Sequence, residues 1–138
     1  MKTVTIDSSV IVASLLEKEP RHRQALKIWE NVIQGKYFAV MPSTVFVEVV
    51  AAIRRRTGSE ELATQTKNAL SSIDSLSFVS LDDTTANEAA QLAIKTGVRG
   101  MDAFVIQTAI EFGAELITFD NEMLEKASSV LKHPPKSK

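Results

Sequence analysis

The chain has 138 residues, of which 44% are hydrophobic and 24% charged, a size and composition that fit one globular domain with a buried core. Its 16 lysines and arginines against 17 aspartates and glutamates give a net charge of −1, which excludes nucleic-acid binding driven by overall positive charge. The absence of cysteine excludes disulfide frameworks, thiolate zinc sites and cysteine nucleophiles, and it is compatible with the reducing cytoplasm, where we expect the protein to act.

Alternating and helical hydrophobic patterns predict strands that are separated by helices along the chain. The predicted strands are residues 2–6, 37–41, 77–81 and 115–119. The predicted helices are residues 10–16, 20–34, 42–56, 59–73, 86–97 and 102–112, and a last helix that begins at 120. Because parallel neighbouring strands need crossover connections, this order predicts an α/β fold. We expect a three-layer sandwich with a mainly parallel sheet of four to five strands and helices on both faces.

We expect residues 1–138 to form a single domain, with residues from about 129 to 138 as a partly flexible C-terminal tail. The longest nearly apolar stretch, residues 45–53, contains Glu48 and is far shorter than the ~20 residues that a membrane span needs. The sequence therefore predicts no membrane association.

Two aspartates directly follow predicted strands, at the position where open α/β sheets bind ligands. Asp7 comes after the first strand and Asp120 after the fourth, while Asp102 begins an apolar helix. An aspartate at any of these positions can also cap the helix that follows it, which stabilises the helix by ~1 kcal/mol without a catalytic purpose. Taken singly, the three aspartates leave both interpretations open.

Glu48 lies in a predicted helix between the apolar residues 45–47 and 49–53, so its carboxylate has little access to bulk water. An unpaired buried carboxylate costs several kcal/mol or takes up a proton, and Glu48 therefore requires a partner. The arginines at 54–56 are six to eight residues away, whereas helix side chains meet at three or four. A tertiary ion pair is one alternative; the other is an acidic pocket that Glu48 shares with the three aspartates.

Four carboxylates in one pocket need a cation or protons, because each close pair repels by ~3 kcal/mol at ~5 Å and an effective dielectric of ~20. An all-oxygen ligand set selects Mg²⁺ or Mn²⁺, ions that promote phosphodiester hydrolysis. Ser8, Thr44 and Thr118 neighbour the carboxylates and are candidates for orienting a ligand or a water molecule. Each of the three also suits a helix cap or a strand.

Together, the acidic segments resemble the PIN domain family of small metal-dependent nucleases, which includes the VapC-type toxins. The resemblance extends from residue 4 to about residue 127. It is carried by four segments in matching order and spacing: Ile6-Asp7-Ser8-Ser9, Pro42-Ser43-Thr44 with Glu48, Arg99-Gly100-Met101-Asp102-Ala103, and Ile117-Thr118-Phe119-Asp120. No single segment is specific, but the combination of all four favours this family.

The resemblance implies an endoribonuclease, the toxin of a VapBC-type toxin–antitoxin pair, that hydrolyses RNA phosphodiester bonds with water as the nucleophile. Its catalytic and metal-binding residues would be Asp7, Glu48, Asp102 and Asp120, with Mg²⁺ or Mn²⁺ as the cofactor. The resemblance also implies a homodimer and an antitoxin protein as a partner. Glu122 is a further candidate for the site.

An RNA substrate needs local cations, because the chain as a whole carries no excess positive charge. The candidates are Arg54, Arg55 and Arg56 at the end of the Glu48 helix, and Arg99. Alternatively, the first three only stabilise the helix dipole, by ~0.3 to 1 kcal/mol each.

Two other functions fit the same residues. A non-catalytic PIN-like module for RNA or protein binding would use the acids only as helix caps, and measured metal binding would discriminate it. A phosphotransfer domain would use Asp7 as the nucleophile or phosphoacceptor. Against the second function, Ser8 and Ser9 follow Asp7 without a second aspartate, and no lysine follows a strand near the predicted pocket.

Overall fold

The computed structural model describes residues 1–131, which form four strands and seven helices. In chain order these are β1 (Lys2–Ile6), α1 (Ser8–Leu15), α2 (His22–Ile33), β2 (Tyr37–Pro42), α3 (Ser43–Thr57), α4 (Glu60–Ser71), β3 (Leu76–Val79), α5 (Asp83–Thr96), α6 (Gly100–Glu111), β4 (Glu115–Ile117) and α7 (Asn121–Ala127). Residues 132–138, and with them most of the predicted C-terminal tail, lie outside the described residues. Before that point the chain is still packed, since Leu131 is buried.

The four strands form one sheet in the order β3-β2-β1-β4, and every neighbouring pair is parallel. Val4 in the central strand β1 lies opposite Ala39 of β2 on one side and Glu115 of β4 on the other. The predicted parallel α/β sheet is therefore confirmed, with four strands. Because all strands run the same way, their carboxyl ends share one edge of the sheet.

Both faces of the sheet are covered by helices. Val4, Thr5 and Ile6 point alternately to opposite faces, and all three are fully buried. The buried Thr5 hydroxyl is satisfied because it donates a hydrogen bond to the Val40 carbonyl at 2.8 Å. The buried apolar side chains of the strands and helices form one cluster. The predicted three-layer arrangement is confirmed.

Most helix boundaries lie within two residues of the predicted ones, and α6 shows why some do not coincide. Helix α6 begins at Gly100 rather than at Asp102, because the extended backbone of Arg99 occupies the N-cap without a side-chain hydrogen bond. This places Asp102 in the first turn of α6 and not at its cap. Helix α3 ends as expected at Gly58, whose φ of 70° favours glycine.

The strands β3 and β4 each end two residues earlier than predicted. In β4, the residues predicted to extend the strand to position 119 turn instead into the N-cap of α7. Within residues 1–131, every helix is too short or too polar to span a lipid bilayer.

Candidate active site

Asp7 and Asp120 lie at the carboxyl edge of the sheet, as predicted. Asp7 follows β1 and Asp120 follows β4, and these two strands are paired so that Ile6 lies opposite Ile117. The backbone N–H of Asp7 continues this pairing by donating to the Ile117 carbonyl at 2.9 Å. Strand pairing therefore fixes where both aspartates leave the sheet.

The carboxylate of Asp7 is held firmly by hydrogen bonds although only 8% of the residue is exposed. Its Oδ1 accepts from the backbone N–H of Ser8 at 2.9 Å, which caps α1. Its Oδ2 accepts from the hydroxyls of Ser9 at 3.0 Å and Thr118 at 2.9 Å. Three donors from two segments compensate the carboxylate for its lost hydration and fix its orientation.

Thr118 connects Asp7 with Asp120. Its hydroxyl donates to Asp7 and accepts a hydrogen bond from the backbone N–H of Asp120 at 3.1 Å. Asp120 in turn caps α7, since its Oδ1 accepts from the backbone N–H of Met123 at 3.1 Å. Asp120 thus caps α7, and it lies at the same edge of the sheet as Asp7.

Glu48 lies in the second turn of α3 and is half-buried. Burial raises the pKa of the Glu48 carboxyl above its ordinary value, and the negative charges of Asp7 and Asp102 raise this pKa further. A carboxyl group whose nearest charged neighbours are other carboxyls has no cation to stabilise it. Among residues 1–131, Glu48 forms no ion pair. The purely structural explanation of its partly buried charge therefore does not hold for the described residues.

Asp102 has the same kind of surroundings. Burial raises the pKa of the Asp102 carboxyl, and the charges of Asp7, Asp120 and Glu122 act in the same direction, whereas the Arg99 guanidinium partly opposes them. The charges of Asp7 and Asp102 thus act on Glu48, and those of Asp7 and Asp120 act on Asp102. Glu122 is more peripheral, since it is exposed and its carboxylate binds the Lys126 ammonium at 2.7 Å.

The donor set fits a hard divalent cation in chemistry, although the side chains do not form a closed cage. Asp102 and Asp120 line a cavity of about 20 Å³, which is enough for one water molecule or a small ion. The candidate ligands are all oxygens, as Mg²⁺ and Mn²⁺ prefer, while the cations Arg99 and Lys126 line the same cavity. Among residues 1–131, however, no three acidic or histidine side chains converge closely enough to hold an ion as they stand. Binding of an ion by these acids would therefore require side-chain rotation.

Thr44, the third predicted neighbour of the acids, has an unusual hydroxyl. Its Oγ1 is buried, and within the described chain no atom forms a hydrogen bond with it. Thr44 lies four residues before Glu48 on α3, so the two side chains lie on the same face of the helix. An unpaired buried hydroxyl costs free energy, and it offers a free donor beside the Glu48 carboxyl.

The four arginines proposed from the sequence lie in different surroundings. Arg99 adjoins Asp102 and Asp120 at the small cavity. Arg56 forms an ion pair with Glu19 at 2.8 Å, which ties the segment before α2 to the end of α3. Arg55 and Arg56 line a groove beside Glu48, whereas Arg54 lines another groove between α3 and α4.

Two groups near the acids were not identified from the sequence. Ser9 donates a hydrogen bond to Asp7, which its place two residues after the strand could have suggested. The Arg21 guanidinium stacks on the Phe119 ring, 4.0 Å from its centroid, beside Asp120. No local sequence pattern predicts the contact between Arg21 and Phe119, because the two residues are far apart in the sequence.

We expect Glu48→Gln to stabilise the metal-free protein at pH 7, and this gain should vanish as the pH falls toward 4.5. A carboxyl group with a raised pKa takes up its proton in the folded state first, so its destabilising charge is present above the folded pKa and absent below the unfolded one. The gain should be on the order of 0.5 kcal/mol, because the half-exposed side chain is partly screened by solvent. Urea denaturation in EDTA at several pH values measures it.

The control is Glu30→Gln, which removes the same charge from the exposed face of α2. The native protein, this control and Glu48→Gln are compared at each pH. A stability difference between native protein and Glu48→Gln that does not change with pH would contradict the raised pKa of Glu48.

The family model of the PIN domain matches residues 4–128. No curated protein sequence matches the chain significantly.

Several solved structures share the fold, and two of them are toxin or toxin–antitoxin proteins. VapC20 of Mycobacterium tuberculosis, described as a Sarcin-Ricin loop cleaving toxin, is 16% identical with a TM-score of 0.75, and the match covers 96% of this chain and 99% of that one. A chain of a toxin–antitoxin complex from Klebsiella pneumoniae is 19% identical with a TM-score of 0.62, and the match covers 85% of this chain and 86% of that one. At these identities the likeness concerns the fold alone.

Proposed function

Because the chain belongs to the PIN domain family, we propose that it is a metal-dependent endoribonuclease that hydrolyses RNA phosphodiester bonds. One observation carries the proposal. Glu48 and Asp102 come from separate helices, and burial together with the charges of other acids raises the pKa of both carboxyls. A protein has no structural reason to gather unpaired acids in this way, since the arrangement costs stability. Binding of a divalent cation offsets that cost.

In this proposal Asp7, Glu48, Asp102 and Asp120 hold Mg²⁺ or Mn²⁺. The ion would supply Lewis acidity to the phosphate oxygens and to the attacking water. The protein's part is to position the four carboxylates. Ser9 and Thr118 fix Asp7 through its Oδ2, and Thr118 also fixes the backbone of Asp120.

A side-chain base other than the acids is not needed. His22 is the one histidine within residues 1–131, and its Nδ1 contacts the Ala13 carbonyl at 2.8 Å and not one of the acids. This favours hydrolysis in which a metal ion, and not a histidine, activates the water.

The fold neighbours extend the proposal to the biological role. One is described as a toxin that cleaves the Sarcin-Ricin loop, and the other belongs to a toxin–antitoxin complex. We accordingly assign this chain the role of the toxin in a VapBC-type pair, with RNA as its substrate and an antitoxin protein as its partner. The proposal includes a homodimer and a cytoplasmic location, where the RNA substrate is found.

Incubation of the purified protein with single-stranded RNA tests the proposed function. We expect cleavage in Mn²⁺ or Mg²⁺ and a rate at least about tenfold lower in excess EDTA, because the carboxylates alone cannot activate water. Cleavage products are resolved on denaturing gels. In the same samples Mn²⁺ should raise the melting temperature, because an ion that binds only the folded state stabilises it.

Cleavage that persists undiminished in EDTA would contradict metal dependence. RNA that is bound but not cleaved in Mn²⁺ would favour the non-catalytic interaction module. A phosphotransfer role is disfavoured by the three hydrogen bonds to Asp7, because they make both of its carboxylate oxygens weaker nucleophiles.

A further inference from the structure

The three consecutive arginines at the end of α3 point in different directions from the helix axis. An α-helix advances by about 100° and 1.5 Å per residue, so Arg55, seven residues after Glu48, lies within about 20° of the same face. It is about 10 Å further along the axis. Arg54 and Arg56 are rotated from Glu48 by about 120° and 80°. Of the three, Arg55 therefore shares the helix face of Glu48.

A groove of about 420 Å³ joins Glu48 to Arg55. Ala51 and Ala52, which lie between them on α3, line this groove, and their small side chains leave it open. Ser9, which holds Asp7, lines the same groove, so the groove reaches the acidic edge of the sheet. A linear ligand in the groove would run from the acids along α3.

The charge of Arg55 is available to a ligand. Arg56, its neighbour, is bound to Glu19 by two hydrogen bonds of 2.8 and 3.2 Å. Arg55 is exposed and belongs to none of the ion pairs formed within residues 1–131. Arg54 is also exposed, but it lines the apolar groove between α3 and α4 together with Phe46.

On the basis of the proposed ribonuclease function, we infer that Arg55 binds a phosphate of the RNA strand beside the scissile bond and so holds the strand in the Glu48 groove. The acids repel a polyanion wherever no cation is bound, so the strand needs a positive charge at a fixed distance from them. Arginine suits this role because its planar guanidinium binds phosphate through two parallel hydrogen bonds. Arg55 is a substrate-binding residue and takes no part in the chemical step.

The test measures RNA binding by fluorescence anisotropy in the Asp102→Asn background, where the labelled single-stranded RNA stays intact. Arg55→Gln should weaken binding about three- to tenfold at low salt, and the slope of log K against log salt should fall by about 0.7 in magnitude. Arg54→Gln removes the same charge from the next residue and should stay within twofold of its parent. Equal effects of the two substitutions would overturn the inference.

Cleavage kinetics in Mn²⁺ give an independent readout. In the otherwise native protein, Arg55→Gln should raise KM three- to tenfold and leave kcat within twofold, because a contact that holds the strand equally well in the ground state and in the transition state acts on binding alone. If the native protein cleaves RNA and Arg55→Gln behaves like Arg54→Gln, the assignment of Arg55 fails and the ribonuclease function stands. If the native protein neither binds nor cleaves RNA, both fail together.

Discussion

Replacement of Asp102 by asparagine is expected to slow metal-dependent RNA cleavage by at least about a hundredfold. Loss of groups that merely orient metal ligands already costs 10- to 100-fold, and Asp102 would itself be a ligand. Asparagine keeps the shape of the side chain in the first turn of α6 but removes the charge that attracts the cation. Initial rates in Mn²⁺ with purified native and variant protein measure the effect.

The same substitution should stabilise the protein in EDTA, since it removes a charge that the neighbouring acids disfavour. A loss of activity together with a gain in melting temperature separates a damaged site from a damaged fold. Asp83→Asn is the control, because Asp83 is exposed in the first turn of α5 and its removal changes the net charge equally. Cleavage by Asp102→Asn at the native rate would refute the proposed site.

Ile106→Ala is expected to lower the free energy of unfolding by about 3 kcal/mol, which corresponds to roughly 10 °C in melting temperature. Ile106 is fully buried in α6, and this helix packs against the central strands β1 and β2. Truncation therefore removes buried apolar surface and leaves a cavity where the surrounding strands cannot collapse. Urea denaturation followed by circular dichroism measures the loss.

Ile110, one turn later on the same helix, provides the matched control. It is 37% exposed, so Ile110→Ala loses less buried surface and should cost about 1 kcal/mol or less. Similar losses for the two substitutions would mean that α6 does not pack on the sheet as described.

The sequence predicts those elements whose signals are local. The alternation over residues 2–6, followed by Asp7 and two serines, contains a strand, a helix cap and a helix start within a few residues, and the structure has all three. The start of α6 is an exception, because capping rules predict that it begins at Asp102. In the structure the helix begins at Gly100, directly after the extended backbone of Arg99, which makes no side-chain capping hydrogen bond.

The candidate site shows the same division between local and tertiary information. The placement of Asp7 and Asp120 follows from parallel topology, because residues after neighbouring parallel strands must meet at one edge. The pair of Arg56 with Glu19 joins segments that are distant in the sequence, and neither residue has a local pattern that names its partner. Such contacts depend on how α3 packs beside α1. Local sequence patterns do not predict this tertiary packing.

The order of the strands also bears on when during synthesis the site is assembled. Strand β1 is made first and occupies an inner position, yet its neighbour β4 is made last. A nascent chain on the ribosome therefore holds Asp7 long before Asp120 and Thr118 exist to complete its surroundings. Since domains complete their folding only when their last paired strand has emerged, the four acids come together only after β4 and Asp120 have been translated. The proposed nuclease site would therefore stay incomplete until the last strand of the sheet has left the ribosome.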